Sequence, residues 1–79
     1  MMQTPEEIGS CMAAMRKYRG LTQEAVRLAT GITNATLVRM ETGTTEGGMT
    51  TYRMLTDIYD CTLGELIGEV EMEIIFDDA

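Results

Sequence analysis

Histidine and tryptophan are absent from this 79-residue chain, and it contains only one proline, one phenylalanine and two cysteines. The lack of histidine removes a common general base and the commonest metal-ligating side chain in proteins. Cys11 and Cys61 are fifty positions apart, which matches neither a zinc-binding nor a redox-active spacing. Both lie within apolar patterns, so we expect two small buried hydrophobic side chains. A glycine-rich phosphate motif is missing as well, and we expect no catalysis, no metal and no cofactor.

Long apolar segments are also lacking. The sequence has no run of about 18 apolar residues and no recognisable signal peptide, so we expect a cytoplasmic protein without a membrane span. Hydrophobic residues nevertheless make up 44% of the chain, which is ordinary for a globular protein and too much for a disordered one. A chain of this length forms one small domain.

Basic residues are few and unevenly distributed. The net charge of −7 argues by itself against a nucleic-acid partner. However, all six basic residues lie within the first 56 residues beside five acidic ones, which gives that segment a charge of +1. The last 23 residues contain eight acidic residues and no basic one. The chain is therefore polarised, and a DNA partner is not excluded. The basic residues are Arg16, Lys17, Arg19, Arg27, Arg39 and Arg53.

The segment of residues 22–43 has the pattern of two short helices joined by a tight turn. Thr22 is a good N-cap, because its hydroxyl can accept from a free N–H of the first turn. Val26 and Ala29 then give an apolar side at helical spacing. Gly31 follows at the place where a chain leaving a helix often needs a positive φ.

The second helix of the pair is predicted to have one apolar and one polar side. Ile32 is predicted to point inward, Thr33 to cap the helix, and Leu37 with Met40 to face the interior. Two packed helices are the simpler interpretation of this pattern. A helix-turn-helix that presents the second helix to the major groove of DNA is the more specific one. The outer side of that helix carries Asn34, Ala35, Thr36, Val38 and Arg39.

Three further helices are predicted around this pair. A capping box of Thr4 and Glu7 begins a helix that runs to about Tyr18, and a second box of Thr62 and Glu65 begins a short helix ending near residue 68. Between them, after a polar loop of residues 42–48, a helix is predicted over about residues 49–59. Five short helices with brief connections indicate a compact all-α domain over residues 1–68. The inner face of the fourth helix is predicted to contain Met49, Tyr52, Leu55, Thr56 and Tyr59.

The acidic C-terminal tail, residues 69–79, changes periodicity. Four apolar residues there alternate with Glu71, Glu73 and Ile75, which is typical of a β-strand. Since one strand is not stable alone, we expect it to pair with the same strand of a second copy in a homodimer. An unpaired acidic tail is the alternative. The residues of this dimerisation strand are Val70, Met72, Ile74 and Phe76.

Three segments carry a resemblance to a known family, namely MRKYRGLTQEAV, TGITNATLVRMETG and IYDCTLGELI. The chain resembles the Cro/repressor class of helix-turn-helix regulators, also called XRE-like, over about residues 8–67. The resemblance implies a double-stranded DNA partner and a role in transcription regulation. It also implies that Gln23 contacts phosphate and braces the recognition helix, and that Arg16 and Glu41 form an internal ion pair. The residues that it assigns to DNA are Gln23, Thr33, Asn34, Ala35, Thr36 and Arg39.

Three residues depart from the family pattern. Arg27 stands where the family usually has alanine, so its stem is expected to pack and its guanidinium to reach solvent. Val38 is apolar on a face that is commonly polar, and Glu46 would repel a phosphate backbone. The expected function is a dimeric, sequence-specific regulator that reads an inverted-repeat operator. The alternative is a protein-interaction module of the same fold, similar to an antirepressor or antitoxin, with weak or no DNA binding.

Overall fold

A computed structural model describes residues 3–69 of the chain. These residues form five α-helices and no β-strand, so the predicted all-α fold is confirmed for this part of the chain. The predicted strand of the tail, Val70 to Phe76, lies outside the described residues. Within residues 3–69, no helix is both long enough and apolar enough to cross a membrane. The helices are α1 (Pro5–Tyr18), α2 (Gln23–Thr30), α3 (Asn34–Thr42), α4 (Met49–Tyr59) and α5 (Leu63–Ile67).

Threonine begins four of these helices. In α1, α2, α3 and α5, the N-cap threonine hydroxyl accepts from a backbone N–H of the first turn, at 3.0–3.2 Å. Both predicted capping boxes are present, since the Glu7 and Glu65 side chains accept from the N–H of Thr4 and Thr62. Each such cap satisfies a helix N–H group that would otherwise lack a partner. The start points of these helices are therefore fixed by local sequence.

The core lies where the five helices meet. Val26, Leu37, Leu55 and Tyr59 are fully buried, as their positions in the predicted apolar faces require. Ile32, in the turn between α2 and α3, is also buried and adds the predicted inward contact. The complete buried apolar set is Met12, Met15, Val26, Ile32, Leu37, Met40, Leu55, Tyr59 and Leu66.

Four apolar residues are less buried than their spacing predicted. Met49 is 64% exposed, because it is the first residue of α4 and the buried residues of this helix, Leu55 and Tyr59, lie in its later turns. Ala29 is exposed because Val26 and the following Ile32 already fill the inner side of α2. Cys11 and Cys61 are half-buried free thiols rather than core residues. Partial burial still raises the pKa of the Cys61 thiol.

Helices α1 and α3 cross at Gly9. A Cβ atom on Gly9 would lie 2.5 Å from the carbonyl oxygens of both Met40 and Glu41, closer than real Cβ atoms approach backbone. Only glycine allows the two helices this separation. The role of Gly9 could not be predicted from the sequence, because nothing in the local pattern reveals which helix another will cross.

Candidate nucleic-acid interface

The turn between α2 and α3 is three residues long and is held by side-chain hydrogen bonds. Gly31 adopts φ 79°, the left-handed conformation predicted for it. The Thr30 hydroxyl donates to the Val26 carbonyl at 2.7 Å and accepts from the Ile32 N–H at 3.1 Å. With Ile32 buried, the turn is fixed on both sides, and α3 leaves it at a defined angle.

One side of α3 is turned to solvent. Leu37 and Met40 are buried beneath it, whereas Asn34, Ala35 and Arg39 are exposed. Val38, on the same outer side, is 41% exposed. The exposed residues predicted to contact base edges therefore share one accessible face. That face combines an amide, a guanidinium and small apolar groups.

Thr33 and Thr36 differ from these residues because their hydroxyl groups bond to each other. Thr33 caps α3 by accepting from the Thr36 N–H at 3.2 Å, and the two hydroxyl oxygens are 2.9 Å apart. Thr36 is also half-buried. The sequence predicts that both residues contact DNA. In the structure, their hydroxyl groups contact each other and the backbone at the N-terminus of α3.

A polar network holds α3 against the other helices from behind. Arg16 of α1 donates from Nε and Nη2 to the two carboxylate oxygens of Glu41, at 2.8 and 3.2 Å. Its third nitrogen, Nη1, donates to the Leu21 carbonyl at 2.8 Å. Gln23 of α2 donates from Nε2 to Glu41 Oε1 at 3.1 Å. Hydrogen bonding to Glu41 raises the pKa of Arg16. The network thus joins α1, α2 and α3 at one carboxylate.

Comparison with known proteins bears on this arrangement. A family model described as a helix-turn-helix domain matches residues 7–68. The chain belongs to the helix-turn-helix domain family. The match agrees with the Cro/repressor resemblance, while no curated protein and no solved structure matches the chain significantly. Membership indicates a DNA-binding regulator in general, and DNA-binding families of this kind are typically not enzymes.

Three of the six basic residues of this helix-turn-helix domain make contacts with other groups of the same chain. Arg16 is bound to Glu41, as described above. Arg19 donates to the Tyr59 and Asp60 carbonyls at 2.6 and 2.9 Å, at the C-terminus of α4. Arg27 pairs with Glu24 on the surface of α2, so its guanidinium contacts an acid as well as solvent. In the part of the chain that the structure describes, Lys17, Arg39 and Arg53 form no ion pair or hydrogen bond through their side chains.

Glu24 lies close to the start of α3. The hydrogen bond from Arg27 lowers the pKa of Glu24, and Asn34 contributes a smaller effect in the same direction. An acidic side chain is therefore a neighbour of one predicted base-reading residue. The exposed Glu46 in the loop after α3 adds a second acid, as the sequence indicated. Arg39 is the one basic residue of α3 itself.

Tyr59 is a buried residue next to the polar network, and its hydroxyl group could not be assigned a partner from the sequence. Its ring is fully buried, and among residues 3–69 its hydroxyl has no hydrogen-bond partner. Burial, with a smaller contribution from Glu41, raises its pKa to about 12. Its position in an apolar face predicted burial but gave no sign of an unpaired hydroxyl. Residues 3–69 contain no group of three or more His, Cys, Asp or Glu side chains placed to hold a metal ion.

Proposed function

We propose that the protein is a cytoplasmic, sequence-specific DNA-binding transcriptional regulator of Cro/repressor type, with α3 entering the major groove. The observation that carries this proposal is the exposed face of α3, braced from behind by the Arg16–Glu41–Gln23 network. A recognition helix must hold its side chains in a fixed register against base edges. Because three helices converge on Glu41, α3 has little freedom to shift when it meets DNA.

Four side chains of α3 each suit a particular base contact. Asn34 suits a bidentate contact with adenine, and Arg39 suits guanine O6 and N7. Ala35, and the methyl group of Thr36, suit the methyl group of thymine. Gln23 uses one Nε2 hydrogen on Glu41, which leaves the second hydrogen for a phosphate oxygen. Thr33 lies at the N-terminus of α3, where free backbone N–H groups favour a phosphate.

A homodimer is the second part of the proposal. Residues 1–68 would form the DNA-binding domain, and the tail of residues 69–79 would join two copies through Val70, Met72, Ile74 and Phe76. Two-fold symmetry would then match an inverted repeat with half-sites roughly one helical turn, about 34 Å, apart. The acidic tail would lie away from the DNA, because its charge repels phosphate.

Selection from random duplexes at low salt tests this function directly. The full-length protein is expected to enrich one sequence with dyad symmetry. The variant N34A should enrich a sequence relaxed at one position of each half-site. R53A removes one positive charge, as R39A does, but from α4 rather than α3. It should therefore leave the preferred sequence unchanged.

The second candidate is a protein-interaction module with the same fold. Val38, exposed on the outer face of α3, favours it, as do Glu46 and the net charge of −7. An apolar β-branched side chain on a solvent-facing helix suits a protein surface as well as a thymine methyl group. If random-duplex selection at low salt recovers no preferred sequence, this second function replaces the first.

A further inference from the structure

A groove runs along α4 on the side that does not carry the recognition helix. Its larger part is a wide-open depression of about 790 Å³ along the outer side of α4 and the start of α5. Its smaller part, of about 290 Å³, continues between α4 and the end of α2. Met54 and Asp57 line both parts, which therefore adjoin along α4. We call the two parts together the α4 groove.

Part of the lining of the α4 groove is apolar. Met54, Ile58 and Cys61 are half-buried and pack against the core from one side while lining the groove on the other. Ala29 extends this apolar part of the lining along α2.

The rim of the α4 groove is acidic. Asp57, Asp60 and Glu65 line it together with a single base, Arg53, which gives a charge of −2 from three acids and one base. Among residues 3–69, none of these carboxylates forms an ion pair, since the ion pairs there are Arg16–Glu41 and Arg27–Glu24. Glu65 accepts from the Thr62 N–H, whereas Asp57 is exposed and without such a bond.

We propose that the α4 groove binds a basic amphipathic helix of another protein. Apolar side chains on one face of such a helix would cover Met54 and Ile58, and its lysines or arginines would reach Asp57, Asp60 and Glu65. The chain's own tail is the less suitable occupant by charge, because residues 69–79 contain five acids and no base. A second copy fits poorly for the same reason, given the net charge of −7.

The α4 groove is separate from the face proposed for DNA. Its lining comes from α2, α4, α5 and the α4–α5 turn, and no residue of α3 contributes to it. A partner helix in the groove therefore leaves Asn34 and Arg39 accessible. The proposal does not require DNA binding, so its failure would leave the proposed function standing, and the converse also holds.

The test uses the full-length chain and two synthetic peptides of leucine and lysine. In the first peptide the leucines lie on one helical face, and in the second the same residues are scrambled around the helix. Fluorescence anisotropy at physiological salt measures binding, and amide NMR shifts locate it. We expect the first peptide to bind at least about tenfold more tightly than the scrambled one, with shifts centred on Met54, Asp57 and Ile58.

Charge-matched variants distinguish binding in the α4 groove from general attraction to an acidic protein. D57K and E46K change the net charge equally, and both side chains are exposed. D57K should weaken binding about tenfold while E46K changes it by less than twofold. Circular dichroism verifies folding, and D57N serves as the milder substitution if D57K is unfolded. Equal weakening by D57 and E46 substitutions, equal binding of the scrambled peptide, shifts on α3, or no binding at all would each overturn the proposal.

Discussion

Arg16 Nε lies 2.8 Å from Glu41 Oε2 across the contact between α1 and α3, and the two side chains are only 10% and 6% exposed. Both carboxylate oxygens and all three guanidinium nitrogens have partners. A charged pair removed from water in this way depends on both members. Loss of one leaves the other buried without compensation.

We therefore expect E41A to lower the free energy of unfolding by roughly 3–5 kcal/mol, with a clearly lower melting temperature. Thermal unfolding followed by circular dichroism measures the change. E46A removes an equal charge from an exposed loop residue and should shift the free energy by less than about 0.5 kcal/mol. A melting temperature that responds equally to both substitutions would show that the pair adds nothing.

The close crossing at Gly9 gives a second prediction. G9A places a methyl group against the Met40 and Glu41 carbonyls, so α1 and α3 must separate. The expected cost is about 1–3 kcal/mol, even though alanine is the better helix former. S10A, at the neighbouring exposed position of α1, provides the control and should be neutral or slightly stabilising. A stabilised G9A protein would mean that the helices are farther apart than described.

The raised pKa of Tyr59 makes the free energy of unfolding depend on pH in the alkaline range. Its folded pKa of about 12 lies above its ordinary value of 10.0, so the folded state disfavours the tyrosinate. This contribution to stability is complete below pH 10 and is lost as the pH rises through about 12. Y59F should remove that part of the decline, which denaturant titrations at a series of pH values would show. Identical alkaline profiles for the two proteins would contradict the assignment.

The same substitution should cost little at neutral pH. The Tyr59 hydroxyl has no partner within residues 3–69, so removing it relieves a buried unpaired group. We expect Y59F to change the free energy of unfolding at pH 7 by less than about 1 kcal/mol, in either direction. A larger loss would indicate that the hydroxyl is hydrogen-bonded in solution.

Residue spacing predicted the local features of the domain, but not the contacts between residues that are distant in sequence. Thr4, Thr33 and Thr62 act on N–H groups three residues away, so their caps could be inferred from spacing alone. Which glycine lies at a helix crossing, and whether Met49 reaches the core, depend on how separate helices meet. The hydrogen bonds of Arg19 could not be inferred from local sequence either, because their acceptors are forty and forty-one residues away along the chain.

The predicted DNA contacts can be measured with the selected sequence as probe. N34A and R39A should each weaken specific binding by about 1–3 kcal/mol and leave non-specific binding nearly unchanged. Q23A should weaken both kinds of binding. E46K should tighten binding to all duplexes and steepen the salt dependence by up to about one unit of slope. Uniform weakening by N34A across all sequences would assign Asn34 to the backbone rather than to a base.

The proposed dimer rests on the tail. Deleting residues 69–79 should give a monomer with weakened operator binding and an intact helical spectrum. Sedimentation equilibrium of the full-length and shortened chains decides the matter. A full-length chain that stays monomeric at high micromolar concentration would exclude strand pairing between tails.

Arg16, Arg19 and Arg27 bind groups of the same chain, which affects how a DNA-binding regulator of this kind would find its site. With α3 contributing Arg39 as its one basic residue and acids at Glu24 and Glu46 nearby, few counterions would be released from any stretch of DNA. Non-specific complexes would be short-lived, and sliding along the duplex would cover little distance. The search would proceed mainly by free diffusion and repeated encounter, so residence at the operator would depend on base contacts rather than on charge.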